Sequence, residues 1–134
     1  MINQVSIFAA NTKGAMHKIT STLAGSDINI SALVTNDSAE YGIIRMITSD
    51  PELSQKVLTE AGYLCQLTPV VGVQISDDVG GLDKLLADVT RSNVNVDYIY
   101  ISYMRDDRDV VAILHTEGAA EVELMLRGRG WTVV

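Results

Sequence analysis

Two short turns hold the residues best suited to bind a small anion. Asn11-Thr12-Lys13-Gly14-Ala15-Met16 and Asp77-Asp78-Val79-Gly80-Gly81-Leu82 each place a glycine where an apolar-periodic helix begins. A helix start leaves backbone N–H groups unpaired and carries partial positive charge, and a glycine there lets a ligand come close to the backbone. That chemistry suits a carboxylate or a phosphate. The plainer alternative is that Asn11 and Asp77 shape the turn and the glycines meet a steric constraint. A second pair is Asn29 and Asn95, followed by Ile30 and Val96. Strand alternation turns each Asn away from its apolar neighbours, towards a ligand, towards water, or back as a cap on the preceding turn.

Catalytic chemistry finds little support. His17 sits beside Lys18 in the first helix and is expected to face solvent, and His115 ends a strand. No Ser, Cys or Asp spacing makes either one a catalytic pair. Cys65 is the only cysteine, so neither an internal disulfide nor a cysteine-rich metal site is available. Asp106-Asp107-Arg108-Asp109 lacks the oxygen-ligand spacing of a calcium loop and fits a charged hairpin tip. Arg127-Gly128-Arg129-Gly130 offers charge to a phosphate, but a turn out of the last helix explains it more simply. No metal, no cofactor and no enzymatic activity are expected. A net charge of −7 with scattered Lys and Arg argues against nucleic acid. No apolar run reaches membrane-spanning length and the start lacks a charged leader, so a cytoplasmic protein is expected.

The elements that position these residues emerge from an internal repeat. A shift of 66 sets Gly14 on Gly80, Ile7 on Val73, Met16 on Leu82, Ile19 on Leu85 and Leu23 on Val89. The same shift lays Ser26-Asp27-Ile28-Asn29-Ile30 over Ser92-Asn93-Val94-Asn95-Val96. Later the shift becomes 68, and Thr48 meets Thr116, Leu58 meets Leu126, Gly62 meets Gly130 and Tyr63 meets Trp131.

Each copy reads as strand, helix, strand, strand, helix, strand. Val5, Ile7 and Ala9 alternate as a strand, and Met16, Ile19 and Leu23 form one helix face that Gly25 and Ser26 end. Ile28, Ile30, Ala32 and Val34 alternate through a second strand. The polar run 36–40 turns into a third, from Ile43 to Ile47. Ser49 or Asp50 caps a second helix with Pro51 at its first position, and Leu53, Val57, Leu58 and Ala61 bury its face. Gly62 stops it, Tyr63 to Leu67 form the last strand, and Pro69 marks the join. The fold class is α+β: two ferredoxin-like βαββαβ units, residues 1–68 and 69–134, each an antiparallel sheet with its helices on one face. Such small units bury too little to stand alone, so pairing of copies is expected. Tyr98 and Tyr100 share one strand face and suit such packing.

The Asn-x-x-Gly helix start, with Asn-Ile fifteen residues after the glycine, resembles the ACT domain family of amino-acid-sensing regulatory modules. The matching positions are Asn11, Gly14 and Asn29, then Asp77, Gly80 and Asn95, and the likeness covers nearly the whole chain twice. It implies an amino acid effector held by the first turn of one module and the second-strand start of another. The topology agrees, because one unit's helix separates its own Gly14 from its own Asn29. Lys13 and Val79 stand where the family usually has proline, and Ala9 and Ile75 where some members carry a ligand-binding histidine. Asp77 and Asp78 make the second turn acidic, so unequal sites are expected.

The resemblance thus implies a non-catalytic regulatory protein that binds a free amino acid or similar small carboxylate. A homodimer is expected, and any regulated enzyme would be a separate chain. Hydrogen bonds to charged groups worth about 1.5–3 kcal/mol each, less ordering costs, imply dissociation constants on the order of μM to mM. The rival is an interaction or oligomerisation module without a ligand.

Overall fold

Core packing divides the chain into two units, each with its own buried cluster. The computed structural model describes residues 1–36, 41–103 and 109–134. The first unit spans Asn3–Thr68, and the second spans Pro69–Val134 together with Met1 and Ile2. In chain order the elements are β1 (Ile2–Ala10), α1 (Ala15–Gly25), β2 (Ile30–Thr35), β3 (Tyr41–Thr48), α2 (Pro51–Glu60) and β4 (Leu64–Ser76). There follow α3 (Gly81–Arg91), β5 (Tyr98–Tyr103), β6 (Asp109–His115) and α4 (Ala119–Gly128). Both units are ferredoxin-like βαββαβ folds.

In the first unit β3 pairs antiparallel with both β1 and β2. Val5, Ile7, Ile44 and Met46 on one sheet face pack against Ile19 and Leu23 of α1 and Leu58 of α2. The second unit repeats this. There β6 pairs with β4 and β5, and Val73, Ala112 and Leu114 pack against Leu85, Val89 and Leu126. The repeat-equivalent pairs Ile7/Val73, Ile19/Leu85 and Leu58/Leu126 are all fully buried. One last-strand equivalent is short: Val133 forms a single bridge to Val73, flanked by Gln74 N–H to the Thr132 carbonyl and Val134 N–H to the Gly72 carbonyl.

Local rules account for most boundaries. Asp50 caps α2, accepting the Leu53 N–H at 3.0 Å, with Pro51 in the first turn. Gly62, at φ 95°, ends it. Helices α1 and α3 end by a different device: Asp27 and Asn93 hold left-handed conformations at φ 59° and 58°. Asp and Asn tolerate that region better than other non-glycine residues, which explains their matched positions after Ser26 and Ser92.

Four expectations need correction. Strand β4 runs through Pro69 without a loop, because proline is compatible with extended backbone where no ladder N–H is required. Alternation along β2 breaks at Ser31, where the ladder to β3 shifts register. Ile30 lies opposite Thr48, but Ala32 lies opposite Ile47 and Leu33 opposite Met46. Directly paired residues share a face, so the bulge sends Ala32 and Val34 to the face away from the helices. Met16 and Leu82 do not complete their buried helix faces: they are 44% and 38% exposed, since each lies in the first turn, beyond the cover of the sheet. Ala61 is exposed at the end of α2, where buried Ser54 joins Leu58 instead. The hairpin positions 37–40 and 104–108, including Asp106, Asp107 and Arg108, lie outside the described residues.

Candidate functional site

The two glycine turns have the same backbone. Gly14 and Gly80 are the N-cap residues of α1 and α3, at φ 81° and 87°, and as glycines they supply no side-chain cap to either helix. The Ala15 N–H bonds the Thr12 carbonyl, and the Gly81 N–H bonds the Asp78 carbonyl. An added Cβ at Gly14 or Gly80 would meet nothing within 4 Å. The conformation, not lack of space, requires glycine there. Gly81 is different, since a Cβ would fall on the Ser76 carbonyl oxygen. It is a packing glycine.

In the first unit the turn borders two concavities. A small one of about 90 Å³ is lined by Asn11, Thr12, Ala15 and Met16, with Asn36 and Ile44 opposite. A larger one of about 340 Å³ is lined by Thr12, Lys13, Gly14 and Ala15, with Lys18 and Tyr63 completing it. Only the larger falls within the size range of small-molecule sites, roughly 300–1,000 Å³. Its two ammonium groups and uncapped helix start favour a negative group.

Asn29 lies elsewhere. Its N–H donates to Ser49 Oγ at 3.0 Å, and its carbonyl accepts the Ser49 N–H at 2.9 Å. The residue ties the end of α1 to the end of β3. With eleven helical residues between, it stands roughly 16 Å from Gly14, at about 1.5 Å per residue. Ile30 packs against the core.

The second unit separates its parts in the same way. Asp77, Asp78 and Leu82 are exposed and Val79 fully so, while buried Gly81 lines an open groove beside α3. Asn95 lines a different concavity of about 360 Å³, with Asn93, Val94, Asp97, Glu117 and Gly118. There Asn95 Nδ2 donates to Asp97 Oδ1 at 3.2 Å, and Asp97 Oδ2 is 2.9 Å from His115 Nδ1. The His115 ring stacks on Tyr98 at 4.8 Å, and Tyr98 stacks in turn on Tyr100 at 6.4 Å. Val96 packs against the core.

Several lining residues were not anticipated from sequence: Lys18, Tyr63, Asp97 and Glu117. The coincidence of Lys18 with Lys84, and of Tyr63 with Trp131, was a usable signal for the first two. His17 is exposed. Among the described residues no group of three or more His, Cys, Asp or Glu could hold a metal ion, and no helix is long and apolar enough to cross a membrane. Asp109 accepts a 2.6 Å hydrogen bond from Gln74 Nε2.

Comparison with known proteins decides the family. The model for the ACT domain pair matches residues 1–127. The chain belongs to that family. A search of curated proteins returned no match. Among solved structures, this ACT pair is similar to protein BT0572 from Bacteroides thetaiotaomicron, at 27% identity and a TM-score of 0.90, over 99% of this chain and 91% of that one. It shares its fold with the regulatory subunit of aspartate kinase from Thermus thermophilus in its ligand-free form, at 13% identity and a TM-score of 0.66, over 94% and 91%. The regulatory subunit from Thermus flavus is similar at 15% identity and a TM-score of 0.58, over 96% and 93%.

Proposed function

We propose that this ACT pair is a non-catalytic regulatory protein that binds a free amino acid or a similar small carboxylate and acts on a separate enzyme. The observation that carries this reading is the uncapped, glycine-started helix α1 beside a metabolite-sized concavity with Lys13 and Lys18. A carboxylate there gains the helix-end field, about 0.3–1 kcal/mol when exposed, and charge-assisted hydrogen bonds. The Asn95 concavity, with Asp97 and Glu117, offers the opposite charge and suits an α-ammonium. Within a unit, turn and Asn stand a helix length apart. The reading therefore requires a second ACT unit to complete each half-site, and a homodimer supplies one. Family membership and the likeness to aspartate kinase regulatory subunits support a regulatory role, and a cytoplasmic setting goes with it.

Thermal melting with each common amino acid at millimolar concentration tests the proposal. A ligand at a hundred times its dissociation constant adds about 2.7 kcal/mol of stability, a plain upward shift. No shift with any amino acid would sink the sensing reading. It would leave the interaction module, which exposed Ile101 and Tyr103 on β5 favour. Binding that survives Lys13→Ala, Lys18→Ala and Asn95→Ala would show that the site lies elsewhere.

A further inference from the structure

An open groove of about 680 Å³ in the second unit runs between α3 and Trp131. Three cations line it (Lys84, Arg91 and Arg129), against the carboxylates of Asp83 and Asp88. That is a local excess of positive charge on a chain of net charge −7. Asp88 organises the wall. Its Oδ2 accepts the Trp131 indole N–H at 2.8 Å, while its Oδ1 lies 3.4 Å from Arg91 Nη1 and 3.8 Å from Arg129 Nη1. Both guanidinium contacts are long beside the 2.7–2.9 Å typical of charge-assisted bonds. Each guanidinium has five N–H donors, so Asp88 gathers the two arginines without saturating them.

The first unit is an internal control. Lys18 matches Lys84, but the positions that correspond to Asp88, Arg91, Arg129 and Trp131 are Thr22, Gly25, Ala61 and Tyr63, and the first unit builds the same fold. Compensation of helix ends does not demand the arginines either. Arg91 is in the last turn of α3, yet α1 and α2 end with no basic residue in theirs. We infer that this groove is a binding site for a small anion, carrying a phosphate or carboxylate group, held by Arg91 and Arg129 with Lys84 at its edge. Trp131 is the wall against which the ligand rests. This goes beyond the amino acid site proposed above, since of that turn only Gly81 touches the groove.

Trp131 is the only tryptophan, so its fluorescence reports on the groove in the intact chain. Titration with inorganic phosphate and, separately, citrate is compared with sodium chloride at matched ionic strength. A saturable change with phosphate, citrate or both is expected, and which one responds identifies the head group. Arg91→Ala and Arg129→Ala should each weaken it at least tenfold. Asp88→Asn, which keeps an acceptor for the indole but frees both arginines, should tighten it several-fold. Amino acid-induced thermal shifts should persist in Arg129→Ala, which separates the two sites. A response that chloride reproduces, or one that the arginine variants leave intact while circular dichroism shows them folded, overturns the proposal. Arg129→Gln repeats the test with the aliphatic stem retained.

Discussion

Thr48 Oγ1 lies 2.8 Å from Ser54 Oγ, and both side chains are buried. Ser54 also donates to the Asp50 carbonyl at 2.7 Å, so the pair couples the end of β3 to the first turn of α2. In the second unit the same positions hold Thr116 and Val122. The threonine remains while its serine partner has become apolar, and Thr116 Oγ1 is buried with no hydrogen-bond partner among the described residues. An unsatisfied buried hydroxyl costs about 1–3 kcal/mol. Thr116→Val should therefore stabilise the protein by about 1 kcal/mol, whereas Thr48→Val should destabilise it by a similar amount. Urea titrations of both variants check this. Opposite signs are required.

The glycines of α1 make an equally direct pair. Gly14 holds φ 81°, and Gly25 does not have a positive φ. Neither would meet a neighbour with an added Cβ. Backbone conformation alone then decides the outcome. Gly14→Ala should cost roughly 1–2 kcal/mol in a left-handed position. Gly25→Ala should gain up to about 1 kcal/mol, through lower unfolded-state entropy and better helix propensity. Thermal denaturation of the two single variants reads both effects.

What could be read from sequence follows the range of the interactions involved. The repeat, the helix faces of Ile19 and Leu23, and the Pro51 start of α2 rest on local periodicity and capping, and so were legible. The bulge at Ser31 depends on how β2 meets β3, and no residue type announces it. The exposure of Met16 and Leu82 reflects where the sheet stops covering a helix, a tertiary fact. The candidate sites were legible by half. Gly14 and Asn95 stand in recognisable motifs, but each concavity is closed by residues distant in sequence. Tyr63 reaches the Gly14 turn, and Glu117 the Asn95 strand start, only through the fold.

Cys65 should be chemically quiet. It belongs to the first unit's core, and burial pushes its thiol up to about 11. The thiolate is the reactive form. At pH 8 it should be on the order of 100-fold scarcer than on an exposed cysteine. Iodoacetamide should label the native protein very slowly at pH 8 and the urea-unfolded chain at the ordinary rate. Fast native labelling would mean that the core around Leu58 and Cys65 opens readily.

Glu123 joins the chain start to α4, and its titration gives a pH test. Its Oε2 accepts from the Met1 ammonium at 2.8 Å, and its Oε1 accepts from Arg127 Nη2 at 3.0 Å. The ammonium hydrogen bond, and then that of Arg127, hold its carboxyl below the usual carboxylate range. As pH falls, the unfolded chain therefore takes up this proton before the folded one does. The stabilisation is complete at neutral pH and disappears as pH drops through the folded value. Glu123→Gln should lower the melting temperature at pH 7, and the gap from wild type should narrow as pH falls below the usual carboxylate range and through the lowered folded value. Acetylating the Met1 amine should lower the pH 7 melting temperature of wild type and leave Glu123→Gln nearly unchanged, because the ammonium would have no carboxylate left to serve. Equal losses in both backgrounds would assign the effect to the N-terminal charge itself rather than to its pairing with Glu123.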